Sequence, residues 1–220
     1  MYDSFEDENY NQNHGRIIIF STNENLRNLF KSQTWYVDGT FSVVPTLFFQ
    51  LFAIMGSVSQ GDNVVALPFV YALMENKEQV AYKKVMEILM LKAEHAGIQV
   101  RRPPRVMSDF ELAIINAITE ILGNVIILCL FHLCQSIYRR IQAEGLQTRY
   151  QDEDDDSIRQ ASKMMCALAF VPVEHVPDTF DLLMDHVPED FVTVAEYFEV
   201  IIILMLLILA LLLFNKYLNL

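Results

Sequence analysis

The stretch Thr34-Trp35-Tyr36-Val37-Asp38-Gly39-Thr40-Phe41 reads as a short apolar strand that runs into a single aspartate. A second stretch has the same form, Arg105-Val106-Met107-Ser108-Asp109-Phe110-Glu111, and a helical pattern begins directly after it. A carboxylate at the end of a strand is held by rigid backbone and can face a cleft, which suits a metal-binding acid. The plainer interpretation makes Asp38-Gly39 a hairpin turn and Asp109 a helix cap. Spacing alone leaves both interpretations open.

The composition is typical of a folded chain in a reducing compartment. A hydrophobic fraction of 53% over 220 residues supplies a full core and argues against disorder. The three cysteines, Cys129, Cys134 and Cys166, are odd in number and widely spaced, and no signal peptide precedes them. A disulfide scaffold is therefore not expected.

The charge balance argues against general nucleic-acid binding. The formal net charge is −12, whereas phosphate contacts need clustered lysine and arginine. Part of the excess is local, since the acid run at residues 152–156 contributes five negative charges. Basic residues cluster at Arg101-Arg102-Arg105 and at Arg139-Arg140 with Arg149. A catalytic unit separated from a DNA-reading domain could still be acidic overall.

The hydrophobic pattern predicts three strands, then helix, strand, helix, strand and helix. The predicted strands cover residues 35–44, 48–58, 64–73, those before Asp109, and 125–130, and the predicted helices cover 78–96, 111–122 and 132–144. A short apolar run at 16–20 is a further candidate strand, and helical spacing follows it. Pro68 fits the third strand only at an edge or a bulge.

Four collinear segments read TWYVDGTFSVVPTLFFQLFAIMG, LPFVYALMENKEQVAYKKVMEIL, VMSDFELAIINAI and CLFHLCQSIYRRIQAEGLQTRYQ. Together they resemble the transposase domain of Mutator-like elements (MULE), over residues 15–199. The resemblance implies an α/β, ribonuclease-H-like fold: a mixed sheet of about five strands flanked by helices, with an all-helical insertion at about 146–195 before the third acid. That fold carries its first acid on strand one and its second on strand four, in agreement with the strand pattern.

By this resemblance the chain is a truncated catalytic domain that cleaves and joins DNA strands by two-metal polynucleotidyl transfer. Asp38 matches the first acid of the family, Asp109 the second and Glu199 the third. Glu196, one helical turn earlier, is the alternative third acid. The carboxylates would hold Mg²⁺, for which Mn²⁺ can substitute. The implied partner is DNA, as transposon ends and target, and the implied location is the nucleus.

The C-x-x-H element of the family falls on Cys129 and His132. These two residues cannot form a structural zinc site by themselves, because such a site takes four ligands. The alternative interpretation is a buried thiol followed by an imidazole at the start of a helix. His95, His175 and His186 are predicted to be surface residues.

The pattern divides the chain into a disordered lead-in at 1–14, the domain at 15–199 and an apolar segment at 200–220. Residues 200–214 contain no charge, proline or glycine, which predicts an apolar C-terminal helix and a candidate transmembrane helix. A frameshift or read-through product would look the same. The competing function is a catalytically inactive or domesticated ribonuclease-H-like module that binds DNA or protein, anchored to a membrane by this tail.

Overall fold

The computed structural model describes residues 15–61, 63–123 and 125–201, which fall into two compact units. The first unit ends at Cys129 and contains a sheet with helices, and the second begins at Leu130. The predicted lead-in at 1–14 lies outside the described residues, as do residues 202–220 of the C-terminal segment.

The first unit is a mixed sheet of six strands with three helices, counting its described residues. The strands are β1 (Ile17–Phe20), β2 (Thr34–Thr40), β3 (Gln50–Gln60), β4 (Asn63–Met74), β5 (Arg105–Ser108) and β6 (Ile126–Leu128). The helices are α1 (Asn23–Lys31), α2 (Gln79–His95) and α3 (Leu112–Leu122). The strand order is β1-β4-β3-β2-β5-β6, with β2, β5 and β6 parallel and the other neighbours antiparallel. The predicted α/β class and helix-flanked mixed sheet are confirmed.

The sixth strand is β1, which adds to the five strands of the main prediction. Its four residues pair antiparallel with Tyr71 to Met74 at the end of β4. Ile17 and Ile19 are buried in the core, while the residues between them are half-buried. This alternation places one face of the short run against the core, which is why four residues suffice for a strand here.

The first predicted strand is four residues too long. Residues 35–44 were expected to be extended, but β2 ends at Thr40, whose partner Leu51 lies at the start of β3. Beyond that pair the chain turns, and the Phe48 N–H donates to the Pro45 carbonyl oxygen at 2.9 Å. Phe41, Val43 and Val44 are strand formers, but no strand among the described residues continues the ladder beyond Thr40.

Pro68 is accommodated as predicted, by a bulge near an open edge. The register between β3 and β4 shifts between Ile54 and Met55, which pair with Val70 and Pro68 respectively. The neighbouring strand β1 reaches only as far as Tyr71, so the missing N–H of Pro68 leaves no gap in that ladder.

The core of the first unit lies between the sheet and its helices. Trp35 is 1% exposed, and its indole N–H donates to the Leu29 carbonyl oxygen at 2.9 Å. The Phe30 ring meets the indole edge-on at 5.5 Å between centroids. Strand β2 is thereby fixed to helix α1, next to the stretch that carries Asp38.

The second unit is helical in its described part. Its helices are α4 (Leu130–Ala143), α5 (Gln147–Tyr150), α6 (Ser157–Ala167) and α7 (Val176–Met184), and residues 192–201 are also helical. Short 3-10 turns at Leu168–Phe170, Val173–His175 and Glu189–Phe191 join them. The three cysteines are free thiols.

The acid run at 152–156 is an ordered turn before α6. Oδ1 of Asp152 accepts the backbone N–H groups of Asp154 and Asp155, and Asp155 in turn accepts from the N–H of Ser157. Arg149 forms ion pairs with Asp155 and Asp190. The hydrogen bonds from Ser157 and Arg149 lower the pKa of Asp155 to about 2. Arg149, one member of the second basic cluster noted in the sequence, is therefore already paired within the chain.

The predicted apolar C-terminal helix is not found in the described part of the chain. Of residues 200–214, only Val200 and Ile201 are described, and they continue the helical segment that starts at residue 192. Across residues 15–61, 63–123 and 125–201, no helix is both long and apolar enough to cross a membrane.

Candidate acidic site

Asp38 and Asp109 are brought to neighbouring strands of the sheet. The parallel strands β2 and β5 pair with Trp35 opposite Val106 and Tyr36 opposite Met107. Continuing that register by two residues puts Asp38 level with Asp109, on strands about 4.8 Å apart. Both side chains are half-buried. The two acids singled out from the sequence therefore share one end of the parallel pair.

The plainer interpretations of the two acids are wrong. Asp38-Gly39 is not a hairpin turn, because the two residues lie inside β2 opposite Ala53 and Phe52. Asp109 is not the cap of α3, because the residue at that position is Glu111. Oδ1 of Asp109 instead accepts the backbone N–H of Glu111 at 3.1 Å, which closes a turn between β5 and the helix. This bond fixes the Asp109 side chain relative to the strand end.

A hydrogen-bond relay formed by Gln50, Tyr82 and Glu111 connects the buried core to the turn that contains Asp109. Gln50 and Tyr82 are both fully buried. Gln50 Nε2 donates to the Tyr82 hydroxyl oxygen at 2.8 Å, and the Tyr82 hydroxyl donates to Glu111 Oε1 at 2.9 Å. A hydroxyl has one proton, so this is the assignment that satisfies all three groups. The relay connects the core to the residue whose N–H holds Asp109.

The Tyr82 hydroxyl is kept protonated by its surroundings. Burial raises the pKa of Tyr82 far above its usual value, and the nearby carboxylates of Glu111 and Asp109 raise it further. The raised pKa is consistent with a protonated Tyr82 hydroxyl that donates to Glu111. Lys77 supplies a second partner, with its Nζ 3.5 Å from Glu111 Oε2 at the surface.

The relay also touches the strand that carries the first acid. A Cβ at Gly39 would come within 2.7 Å of Gln50 Oε1, which is closer than real Cβ atoms approach a neighbour. Gly39 thus leaves room for the buried amide beside Asp38. The Gln50 side chain therefore packs against β2 next to Asp38. The same side chain is linked through Tyr82 and Glu111 to the turn that contains Asp109.

Replacing Tyr82 by phenylalanine should destabilise the first unit by about 1–3 kcal/mol, because Gln50 and Glu111 each lose a buried partner. The single tryptophan, Trp35, is buried in this unit and reports its unfolding by fluorescence in urea. Tyr71→Phe is the matched control, since Tyr71 is 39% exposed. Equal midpoints and slopes for the two variants would contradict the role given to the relay.

The predicted third acid lies in the second unit. Glu199 and its alternative Glu196 are both exposed on the helical segment at 192–201, while Phe198 between them is 1% exposed. The sequence Tyr197-Phe198-Glu199 thus anchors the segment through its phenylalanine and leaves the carboxylate free. The assignment of Glu199 to the site stays a prediction.

The two residues of the C-x-x-H element, Cys129 and His132, are described separately. Cys129 is a half-buried free thiol directly after β6, and its backbone N–H donates to the Ser108 carbonyl oxygen at 2.9 Å. His132 lies in the first turn of α4, where its Nδ1 is buried without a hydrogen-bond partner among the described residues. The imidazole expected at the start of a helix is found there, whereas the thiol expected to be buried is half-buried.

The donors at the acidic site suit a hard divalent cation. Two half-buried carboxylates offer oxygen ligands, which Mg²⁺ and Mn²⁺ prefer, and the site has neither the thiolate nor the imidazole set that selects zinc. Among residues 15–61, 63–123 and 125–129, no group of three or more His, Cys, Asp or Glu side chains converges on one point. Asp38 and Asp109 offer two such oxygen ligands, and the assignment of a cation to them stays a prediction.

Sequence reasoning missed the relay beneath the site. Gln50 is the one polar residue in the run Leu47-Phe48-Phe49-Gln50-Leu51-Phe52, and a lone amide among apolar residues signals a buried partner. Tyr82 gives no such signal, because a tyrosine on the apolar face of a helix is ordinary core. Its partner across 32 residues is visible only in three dimensions.

Comparison with known proteins agrees with the resemblance over the part of the chain that carries both acids. No curated protein and no solved structure gives a match. The family model described as the MULE transposase domain matches residues 34–136, a narrower range than the 15–199 expected. That range begins at β2 and ends within α4, so it includes Asp38, Asp109 and the relay. Residues 34–136, slightly less than half of the chain, are therefore similar to the MULE transposase domain.

Proposed function

We propose that this chain is the catalytic domain of a Mutator-like transposase, which cleaves DNA strands and joins them to a target. The observation that carries the proposal is the pairing of β2 with β5, which aligns the Asp38 and Asp109 positions on adjacent parallel strands. The family match supports a transposase-related function in general. The proposal includes a ribonuclease-H-like fold, supported by the order of strands and helices from β2 to α4.

In this proposal Asp38 and Asp109 hold Mg²⁺ or Mn²⁺, and Glu199 or Glu196 contributes the third carboxylate. When bound, the cations activate the attacking oxygen and stabilise the leaving oxygen of the phosphodiester. The chain's own contribution is to hold its carboxylates in place. The Glu111 N–H orients Asp109, and the Gln50–Tyr82 pair keeps the Glu111 side chain from moving away. A rigid ligand set raises the affinity for the cation because less side-chain freedom is lost on binding.

The proposed substrate is DNA and the proposed location is the nucleus. The acidic composition is compatible with this substrate, because the negative charge is unevenly distributed. Residues 15–129 contain ten basic and ten acidic residues, so this part is formally neutral. From Leu130 onward there are fourteen acidic and six basic residues, a formal charge of −8. The part with the candidate site is therefore less repulsive to DNA than the total of −12 suggests.

The proposal is tested with a labelled duplex oligonucleotide incubated with the purified 220-residue chain. Cleavage or joining should require Mg²⁺ or Mn²⁺, stop when EDTA is added and return when Mn²⁺ is restored in excess. Products are read on a denaturing gel. Activity that is unaffected by EDTA would contradict the proposed chemistry.

A non-catalytic module that binds DNA or protein is the second candidate. The observation in its favour is the strongly acidic second unit, which is suited to a basic protein partner better than to DNA. This candidate predicts no divalent-cation-dependent change in the oligonucleotide, even when the chain is folded. The cleavage assay therefore separates the two functions.

A further inference from the structure

An open recess of about 290 Å³ in the first unit is lined by three cations. Arg27, Lys31 and Arg101 surround it, with Phe30, Ile98 and Gln99 completing the wall. None of the described residues that line it carries a carboxylate. The guanidinium of Arg101 donates to Gln99 Oε1 at 2.8 Å, which restrains one of the three cations without neutralising it.

The recess lies at the opposite end of the parallel strands from the acids. Arg27 and Lys31 are four residues apart and share one face of α1, which leads into β2. Arg101 is in the loop that leads into β5, and Arg105 pairs with Thr34 where both strands begin. From Thr34 to Asp38 the strand rises about 13 Å. About four base pairs of a duplex span that length.

Within the part of the chain that the structure describes, the cations at this end differ from Arg16, Lys77 and Lys83, each of which pairs with a carboxylate. Arg16 pairs with Glu75, and Lys83 pairs with Glu120. Within the described residues, by contrast, no ion pair is formed by the cations at the strand starts, which are Arg27, Lys31, Arg101, Arg102 and Arg105. These five are half of the ten basic residues between 15 and 129. Their mutual repulsion is relieved when an anion binds among them.

We propose that this basic recess binds backbone phosphates of DNA at a position separate from the acidic site. This inference rests on the proposed function, since it gives the DNA substrate a second point of contact. Charge complementarity favours phosphate, because the planar guanidinium of arginine matches two phosphate oxygens at once. The recess contacts the sugar–phosphate backbone and not base edges, so it fixes the register of the duplex without reading its sequence.

The test compares DNA binding by three versions of the 220-residue chain over a range of salt concentrations. The recess variant carries Arg27→Gln, Lys31→Gln and Arg101→Gln. The control variant carries Arg16→Gln, Lys83→Gln and Lys163→Gln, which change the net charge equally at two exposed positions and one half-buried position elsewhere. Fluorescence anisotropy of a labelled duplex of about 20 base pairs gives the dissociation constant at each salt concentration, and Trp35 fluorescence verifies that each variant is folded.

The recess variant should bind the duplex about tenfold more weakly at low salt. The slope of its log affinity against log salt concentration should become smaller in magnitude by about 2 to 3, because each lost phosphate contact removes about 0.9 from that slope. The control should keep most of the slope. An unchanged slope in the recess variant, or no DNA binding by the unaltered chain at low salt, overturns the proposal.

A parallel titration with inorganic phosphate distinguishes a DNA contact from a site for a small anion. If phosphate saturates the unaltered chain and not the recess variant, while duplex binding is equal in both, the recess is a small-anion site and the DNA proposal is wrong. Mn²⁺ binding is measured on the same variants. The recess variant should retain it, so failure at the recess and failure at the acidic site give different results.

Discussion

Replacing Asp38 or Asp109 by asparagine is expected to reduce Mn²⁺-dependent DNA cleavage by about 10³-fold or more. A metal ion supplies several kcal/mol of transition-state stabilisation, and each 1.4 kcal/mol corresponds to about a tenfold change in rate. Asparagine keeps the size of the side chain and, at position 109, an oxygen that can still accept the Glu111 N–H. The variants therefore remove the charge while preserving the turn.

The matched control for this prediction is Asp154→Asn in the acid run of the second unit. Asp154 is exposed, and its substitution changes the net charge by the same amount. The control should retain full activity, and Trp35 fluorescence should show that all variants are folded. Cleavage that survives both Asp38→Asn and Asp109→Asn would remove these residues from the site.

Replacing Phe52 by alanine should destabilise the first unit by about 3–5 kcal/mol, the largest effect on stability expected from the described core. Phe52 is 0% exposed near the start of β3, and its ring meets the Tyr82 ring edge-on at 5.0 Å between centroids. The substitution removes a large apolar surface and leaves a cavity beside the residue that supports Glu111. We therefore expect weaker cation binding as well as lower stability.

The measurement for Phe52→Ala is urea unfolding followed by the fluorescence of Trp35, which is the single tryptophan and belongs to the same unit. Leu47→Ala is the control, because Leu47 is 66% exposed and its truncation should change the free energy of unfolding by less than about 0.5 kcal/mol. A loss below about 1 kcal/mol for Phe52→Ala would mean that the core is not packed as described.

The positions of Asp38 and Asp109 could be predicted because each follows a short apolar run that forms a strand. What the runs could not reveal is their pairing. Thr34 lies opposite Arg105, a residue more than seventy positions later, and nothing local in either segment specifies this neighbour. The expectation that Asp38 and Asp109 lie together came from the resemblance to a family with acids on its first and fourth strands. The register of β2 with β5 supports that expectation.

The extent of the strands depends on the partner strands available, and not only on local propensity. Residues 41–44 are strand formers by propensity, yet β2 stops at Thr40 because β3 begins only at Gln50. The run at 16–20 is short for a strand, yet β4 offers it four partners. In both cases the availability of a partner strand outweighs local propensity.

The basic recess also could not be predicted from local sequence, because its cations come from distant parts of the chain. Arg101 belongs to a cluster that is evident in the sequence, whereas Arg27 and Lys31 are isolated charges in an ordinary amphipathic helix. Only the fold brings them around one recess. The cluster at Arg139-Arg140 and Arg149 is equally evident in the sequence, but there Arg140 pairs with Glu144 and Arg149 with Asp155. Charge clusters in a sequence therefore need the structure to show which cations are unpaired.

Calorimetric titration of the 220-residue chain with Mn²⁺ tests most directly whether Asp38 and Asp109 form a cation site. The chain should show saturable binding that is lost in the double variant Asp38→Asn/Asp109→Asn. The double variant Asp154→Asn/Asp156→Asn, with the same change in net charge in the acid run, should retain that binding. If the folded, unaltered chain shows no saturable Mn²⁺ binding, or if Asp38→Asn/Asp109→Asn binds as tightly as the unaltered chain, the assignment of the acidic site is wrong.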